Sequence, residues 1–157
     1  MHALVVYYSR TGNTRKVGEE LARVLPGDVE ELIDTVNRAG PLGFLSAAGD
    51  ASQRKLTKLQ PIMKDPSAYD LVLVGTPNWN ANVSTPVRTY LAENRAKFKS
   101  VAFFCTQGVR GGSEKAFAEM EAVAGKKPKA TLTVPMSALK NGNHADMLKK
   151  FAAEVNA

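Results

Sequence analysis

The chain has 157 residues, of which 44% are hydrophobic and 23% charged, and it carries a formal net charge of +6 at pH 7. That length predicts a single domain over residues 1–157, and that balance excludes disorder and fibrous repeats. No apolar run reaches the ~18 residues needed to cross a bilayer, and Met1-His2-Ala3-Leu4 does not read as a signal peptide, so a cytoplasmic location without membrane insertion is expected.

Residues 3–8 (Ala-Leu-Val-Val-Tyr-Tyr) form an unbroken β-favouring run, the pattern of a strand buried on both faces. The turn formers of 9–14 follow. Val17, Leu21, Val24 and Leu25 then mark one face of a helix that Pro26-Gly27 ends. A short second strand fits 28–34. The stretch 35–66 is the least regular: Phe44, Leu45 and Leu59 favour some helix, whereas Gly40, Gly43, Gly49, Pro61 and Pro66 interrupt it. It is expected either to pack near a ligand edge or to form a dimer contact.

Residues 70–75 read as another doubly buried strand. Ser84 caps a helix to about Asn94, with Pro86 in its first turn. A strand at 101–105, the glycine-rich 106–112, a helix over 113–124, a strand at 131–134 and a helix over 144–155 complete the chain. His144 falls in the first turn of that last helix, and His2 at the start of the first strand. Alternation of strand, loop and helix requires a parallel sheet covered by helices on both faces.

In such sheets ligands bind beyond the carboxyl ends of the strands, where the strand order reverses. Three loops leave those ends here: 9–14, 76–83 and 106–112. The first joins a helix N-terminus to the hydroxyls of Ser9, Thr11 and Thr14, a suitable cradle for a phosphate or an ordinary capped turn. Gly12 lets backbone approach closely. Neither the ATP-type Gly-x4-Gly-Lys-Ser/Thr spacing nor the dinucleotide Gly-x-Gly-x-x-Gly spacing is present.

Ser9-Arg10-Thr11-Gly12-Asn13-Thr14 after a buried strand resembles the flavodoxin signature. Gly75-Thr76-Pro77-Asn78-Trp79 with Ser84-Thr85-Pro86-Val87-Arg88 resembles the second flavin loop of that family and the helix after it. Phe104-Cys105-Thr106-Gln107-Gly108 with Gly111-Gly112 resembles the third. The resemblance implies a three-layer, doubly wound sheet of five parallel strands in the order 2-1-3-4-5, with FMN as cofactor at the switch point.

It further implies that Ser9, Arg10, Thr11, Gly12, Asn13 and Thr14 wrap the FMN phosphate. Thr76, Pro77, Asn78, Trp79 and Asn80 then border the isoalloxazine ring, with Trp79 as its stacking partner. Thr106, Gln107, Gly108, Gly111 and Gly112 close over the pyrimidine end, and Arg110 is expected near the N1–O2 edge, where its charge would favour the reduced flavin. Gln107-Gly108-Val109-Arg110 supplies no second aromatic, so one face of the ring is expected to be open to a substrate or a partner chain. The second loop lacks the glycine that often accompanies strong stabilisation of one-electron reduced flavin, so that property is not implied.

Cys105 and Arg110 invite a phosphatase reading, but four residues separate them where that chemistry needs five. A phosphoacceptor reading fails because the first strand ends in Tyr8-Ser9 rather than an acidic pair. The two histidines carry no metal-ligand spacing, and one cysteine excludes an internal disulfide. The lysines lack interleaved aromatics, which argues against nucleic acid.

The cofactor therefore carries the chemistry, with no catalytic side chain assigned. Two redox roles and one other follow: an electron carrier between proteins, an NAD(P)H-dependent FMN reductase acting on a quinone-type acceptor, or a flavin-free binding module of the same fold. Electron-carrying flavodoxins are acidic as a family. A charge of +6 therefore predicts either a redox partner with an acidic surface or a small-molecule acceptor with NAD(P)H. The oligomeric state is left open.

Overall fold

A computed structural model describes residues 1–108 and 111–157. Five strands form one parallel sheet: β1 (Ala3–Tyr7), β2 (Asp28–Glu31), β3 (Leu71–Pro77), β4 (Val101–Gln107) and β5 (Thr131–Pro135), in the order β2-β1-β3-β4-β5. This is the flavodoxin-like order expected from the sequence. The helices are α1 (Asn13–Val24), α2 (Gly40–Ser52), α3 (Thr85–Asn94), α4 (Ser113–Ala124), α5 (Met136–Asn141) and α6 (His144–Asn156). None is long and apolar enough to cross a membrane.

The side-chain period of two in a strand sorts the core into two layers. Leu4, Val6 and Tyr8 face a layer with Val72, Val74 and Phe103 beneath α2, α3 and α4. Ala3, Val5 and Tyr7 face the opposite layer, with Leu73 and Phe104 beneath α1 and α6. Every residue of β1 is buried, which explains why its sequence shows no alternation.

Three details depart from expectation. Val24 is 41% exposed, because the buried stripe of α1 runs through Gly18, Leu21 and Ala22 and turns Val24 to its margin. Gly18 sets that register: a Cβ there would stand 2.3 Å from the Tyr7 ring. The second strand stops at Glu31, and Asp34 instead makes an isolated antiparallel bridge to Leu59. Ser84 stands at the N-cap of α3 without a side-chain capping bond. Its Oγ lies 3.1 Å from the Thr76 hydroxyl.

The irregular stretch contains a full helix, α2. Its glycines do not break it, because one of them is required: a Cβ on Gly43 would meet the Arg38 backbone at 2.2 Å. α2 is fastened by buried charge. Arg38, 3% exposed, donates to Asp34 at 2.6 Å and to Asp50 at 2.9 Å, and Thr57 donates its hydroxyl to Asp34 at 2.7 Å. Arg88 of α3 donates to the carbonyls of Ala51 and Lys55 and to Glu119 of α4.

Candidate functional site

The carboxyl ends of β1, β3 and β4 lie side by side at the centre of the sheet, and the loops that leave them meet over two adjoining depressions. The first, about 240 Å³, is lined by Arg10, Thr11, Asn13, Thr14, Pro77, Trp79, Thr106 and Gln107 among others. The second, about 440 Å³, lies between Asn80, Ala81, Gly111 and Ala48 of α2. Phe44, Asn78, Trp79 and Gly108 line both. The space is on the scale of a small-molecule site, roughly 300–1,000 Å³.

The first loop presents an uncapped helix terminus. Gly12 occupies the N-cap of α1 at φ 102, a left-handed conformation that glycine adopts without strain. Its amide donates to Ser9 Oγ at 3.0 Å, which holds the turn closed. No side chain among the described residues caps α1, and its first turn has no acidic residue, so the helix dipole and the first-turn amides stay available to a negative group. A Cβ on Gly12 would find no atom within 4 Å among the described residues, so the approach is open. Thr14 and Thr106 share a buried hydroxyl–hydroxyl bond of 2.7 Å that joins the first and third loops. Arg15 is taken up by a bidentate pair with Glu31, whereas the Arg10 guanidinium stands 5.3 Å over the Phe44 ring at the rim.

The second loop is a tight two-residue turn. Trp79 and Asn82 exchange backbone bonds of 3.1 and 3.0 Å across Asn80 and Ala81, both at positive φ. The Asn82 side-chain amide donates to Asn80 O at 2.6 Å, and the Asn80 amide donates to Ser52 Oγ of α2 at 3.0 Å. Trp79 is buried, edge-on to Tyr8 at 5.4 Å, with the Arg38 guanidinium 5.6 Å over its ring. Asn78 donates its amide towards Gln107 Oε1 at 3.3 Å and Gly111 O at 3.4 Å. Its Oδ1 is buried without a partner among the described residues.

Of the residues named from sequence, Arg10, Thr11, Asn13, Thr14, Pro77, Asn78, Trp79, Asn80, Thr106, Gln107, Gly108 and Gly111 line the depressions. Ser9 and Gly12 shape the first turn from behind. Thr76 is turned inward onto Ser84 and Pro77 O, and Gly112 backs onto Ala81, where a Cβ would stand 2.6 Å from that residue's own. Arg110 lies outside the described residues. The sequence does not single out Phe44, Ala48, Ala81 or Met136, which also line the depressions; Phe44 reads there only as a helix residue.

Cys105 is buried, and burial pushes its thiol up to about 12, which keeps it protonated and unfit as a nucleophile. Among the described residues no group of three or more metal-ligating side chains comes together.

The geometry fits FMN on two counts: an open, uncapped helix N-terminus suits a phosphate dianion, and the unpartnered Asn78 acceptor suits a ring N–H donor. Solved structures of similar fold are flavoproteins. A flavoprotein in complex with FMN from Lactobacillus acidophilus NCFM shares 22% identity at a TM-score of 0.74, over 89% of this chain and 97% of that one. A Bacteroides uniformis protein classed provisionally as a flavoprotein shares 19% at 0.77, over 95% and 96%. A flavodoxin from Streptococcus pneumonia TIGR4 shares 17% at 0.61, over 99% and 98%. Residues 1–139 match the model of the NADPH-dependent FMN reductase family. The chain belongs to that flavodoxin-like, FMN-binding family.

Proposed function

We propose that the protein is a small NAD(P)H-dependent FMN oxidoreductase, using FMN held between the three loops. The observation that carries this reading is the open cleft joined to an uncapped helix terminus, in a chain of the NADPH-dependent FMN reductase family. Bound FMN supplies hydride acceptance and return, chemistry that no side chain here provides.

The residues have separable tasks. The backbone amides at the start of α1, with the hydroxyls of Thr11 and Thr14, hold the phosphate through dipoles rather than net charge. Asn78 Oδ1 accepts from the ring. Trp79 and Phe44 form an apolar wall, with Trp79 fixed in orientation by Tyr8 and Arg38. Gly108 and Gly111 keep the far side low, leaving room for a nicotinamide or an acceptor beside the ring. The net charge of +6 favours anionic small molecules or an acidic protein as the other reactant.

Titration with FMN, followed by anaerobic addition of NADPH, tests the proposal. The expected result is a yellow complex whose visible absorbance bleaches within a turnover timescale. A yellow complex that NADPH leaves coloured would return the protein to the electron-carrier reading. A protein that stays colourless with FMN would leave only a binding module.

A further inference from the structure

Of the described residues that line the two depressions, Arg10 alone is charged. It is half-buried, and its guanidinium leans from the first loop onto α2, 5.3 Å over the ring of Phe44. Arg15, Arg38, Arg54 and Arg88 each meet a carboxylate. Among the described residues Arg10 forms no ion pair, and its neighbour at the rim is an aromatic face. The phosphate cradle of the first loop is furnished without it. The first-turn amides of α1 carry no side-chain cap, the hydroxyls of Thr11 and Thr14 stand beside them, and Ser9 Oγ holds the Gly12 amide. Dipoles arranged in this way receive a phosphate without a cation. A guanidinium resting on a phenyl ring is held weakly, and it gains by moving to a phosphate, where its bonds are bidentate and charge-assisted.

We infer that Arg10 serves the second reactant and not the FMN phosphate, receiving a phosphate of the nicotinamide nucleotide at the mouth of the cleft. This rests on the NAD(P)H-dependent reading above. The second depression, about 440 Å³, is walled by Phe44, Trp79, Ala48 and Ala81 and by uncharged polar groups. Such a lining suits a flat nicotinamide ring and offers nothing to the anionic part of the same molecule. Phe44 belongs to both depressions, so a cation resting on it stands where they meet. Arg10 is therefore the cation placed to take the charge that follows the ring into the cleft. Its transfer to phosphate also uncovers the Phe44 face, so that recognition of the anion and access to an aromatic wall become one event. A lysine could supply the charge but not the planar fork.

Calorimetric binding of NADP+, which cannot donate hydride, to the FMN-loaded protein tests the inference. Arg10→Ala should bind it about tenfold more weakly than the native protein, the loss expected for one charge-assisted contact, and Arg10→Lys should fall between. The preference for NADPH over a phosphate-free N-benzyl-dihydronicotinamide as hydride donor should drop by a similar factor. The preference of the apoprotein for FMN over riboflavin should be kept in Arg10→Ala. A loss shared by NAD+ assigns the pyrophosphate to Arg10, and a loss confined to NADP+ assigns the 2′-phosphate; either supports the inference. A fall in FMN affinity that riboflavin does not share would return Arg10 to the cofactor phosphate and overturn it. So would NADP+ binding that Arg10→Ala leaves intact. A native protein that neither binds NADP+ nor is bleached by NADPH would remove the parent reading as well, a result distinguished by needing no variant.

Discussion

The central sheet and the excursion over residues 33–64 are held by different physics. The core around the sheet is apolar: Val5, Val74, Phe103 and Phe104 are wholly buried, and polar pairs such as Arg88–Glu119 and His144–Glu20 join only the helices that cover it. The excursion turns its large apolar side chains outward and is fastened from within by Arg38, Asp34, Asp50 and Thr57, and from α3 by Arg88, which donates to the Ala51 and Lys55 carbonyls. Burial of apolar area is non-directional and spread over many residues, so the sheet tolerates loss at one position. A buried ion network is concentrated in a few atoms and fails when one is removed. The cleft lies on the boundary, with three walls from the sheet and one, Phe44 and Ala48, from the excursion.

Removing the central cation should therefore separate the two regions. Arg38→Met keeps the volume but leaves Asp34, 3% exposed, buried without its partner, at a cost of about 3 kcal/mol. Hydrogen exchange should accelerate about a hundredfold across 34–57, while amides of β1, β3 and β4 stay protected. The single tryptophan reports the same event, since Arg38 stacks on Trp79. Uniform acceleration through both regions would show that they unfold as one unit and erase the distinction.

Acid should act on the same boundary more gently. The Arg38 guanidinium bonded to Asp50 holds that carboxyl below its ordinary value of 3.8. A lowered pKa contributes stability that is complete above the unfolded value and is lost as pH falls through the folded one. Protection factors in the excursion, with the intrinsic pH dependence of amide exchange divided out, should thus be constant from neutral pH down to the ordinary aspartate range and fall below it. Asp50→Asn should flatten that acid limb. An acid limb equally steep in Asp50→Asn would place the sensitive group elsewhere.

The same difference decides what the sequence disclosed. Doubly buried strands write themselves as apolar runs, and Ser9 to Thr14 and Trp79 sit at strand ends whose position the alternation of elements determines. The excursion's stability comes from pairs distant in sequence, such as Arg38 with Asp50 and Arg88 with Ala51, and no local pattern announces them. Glycine-rich α2 reads as broken because local propensity charges each glycine against the helix. The close approach that makes Gly43 necessary exists only in three dimensions. Phe44 was missed for the same reason: its place at the cleft depends on how α2 is tied down.

The smallest expected effect concerns the turn where the two regions touch. Ala81 holds φ 60, a left-handed conformation that costs an L side chain roughly 1 kcal/mol. Its Cβ packs towards Gly112, which is itself left-handed and has no room for a side chain there. Ala81→Gly relieves the strain but gives the unfolded chain more freedom, worth about 0.4–1 kcal/mol in the other direction. The net change in global stability should lie within about 0.5 kcal/mol of zero by urea denaturation. Asn80 keeps its bond to Ser52 in either case, so the link between turn and α2 survives. A loss above 1 kcal/mol would mean that the Ala81 methyl, and not the backbone of the turn, joins the sheet to the excursion.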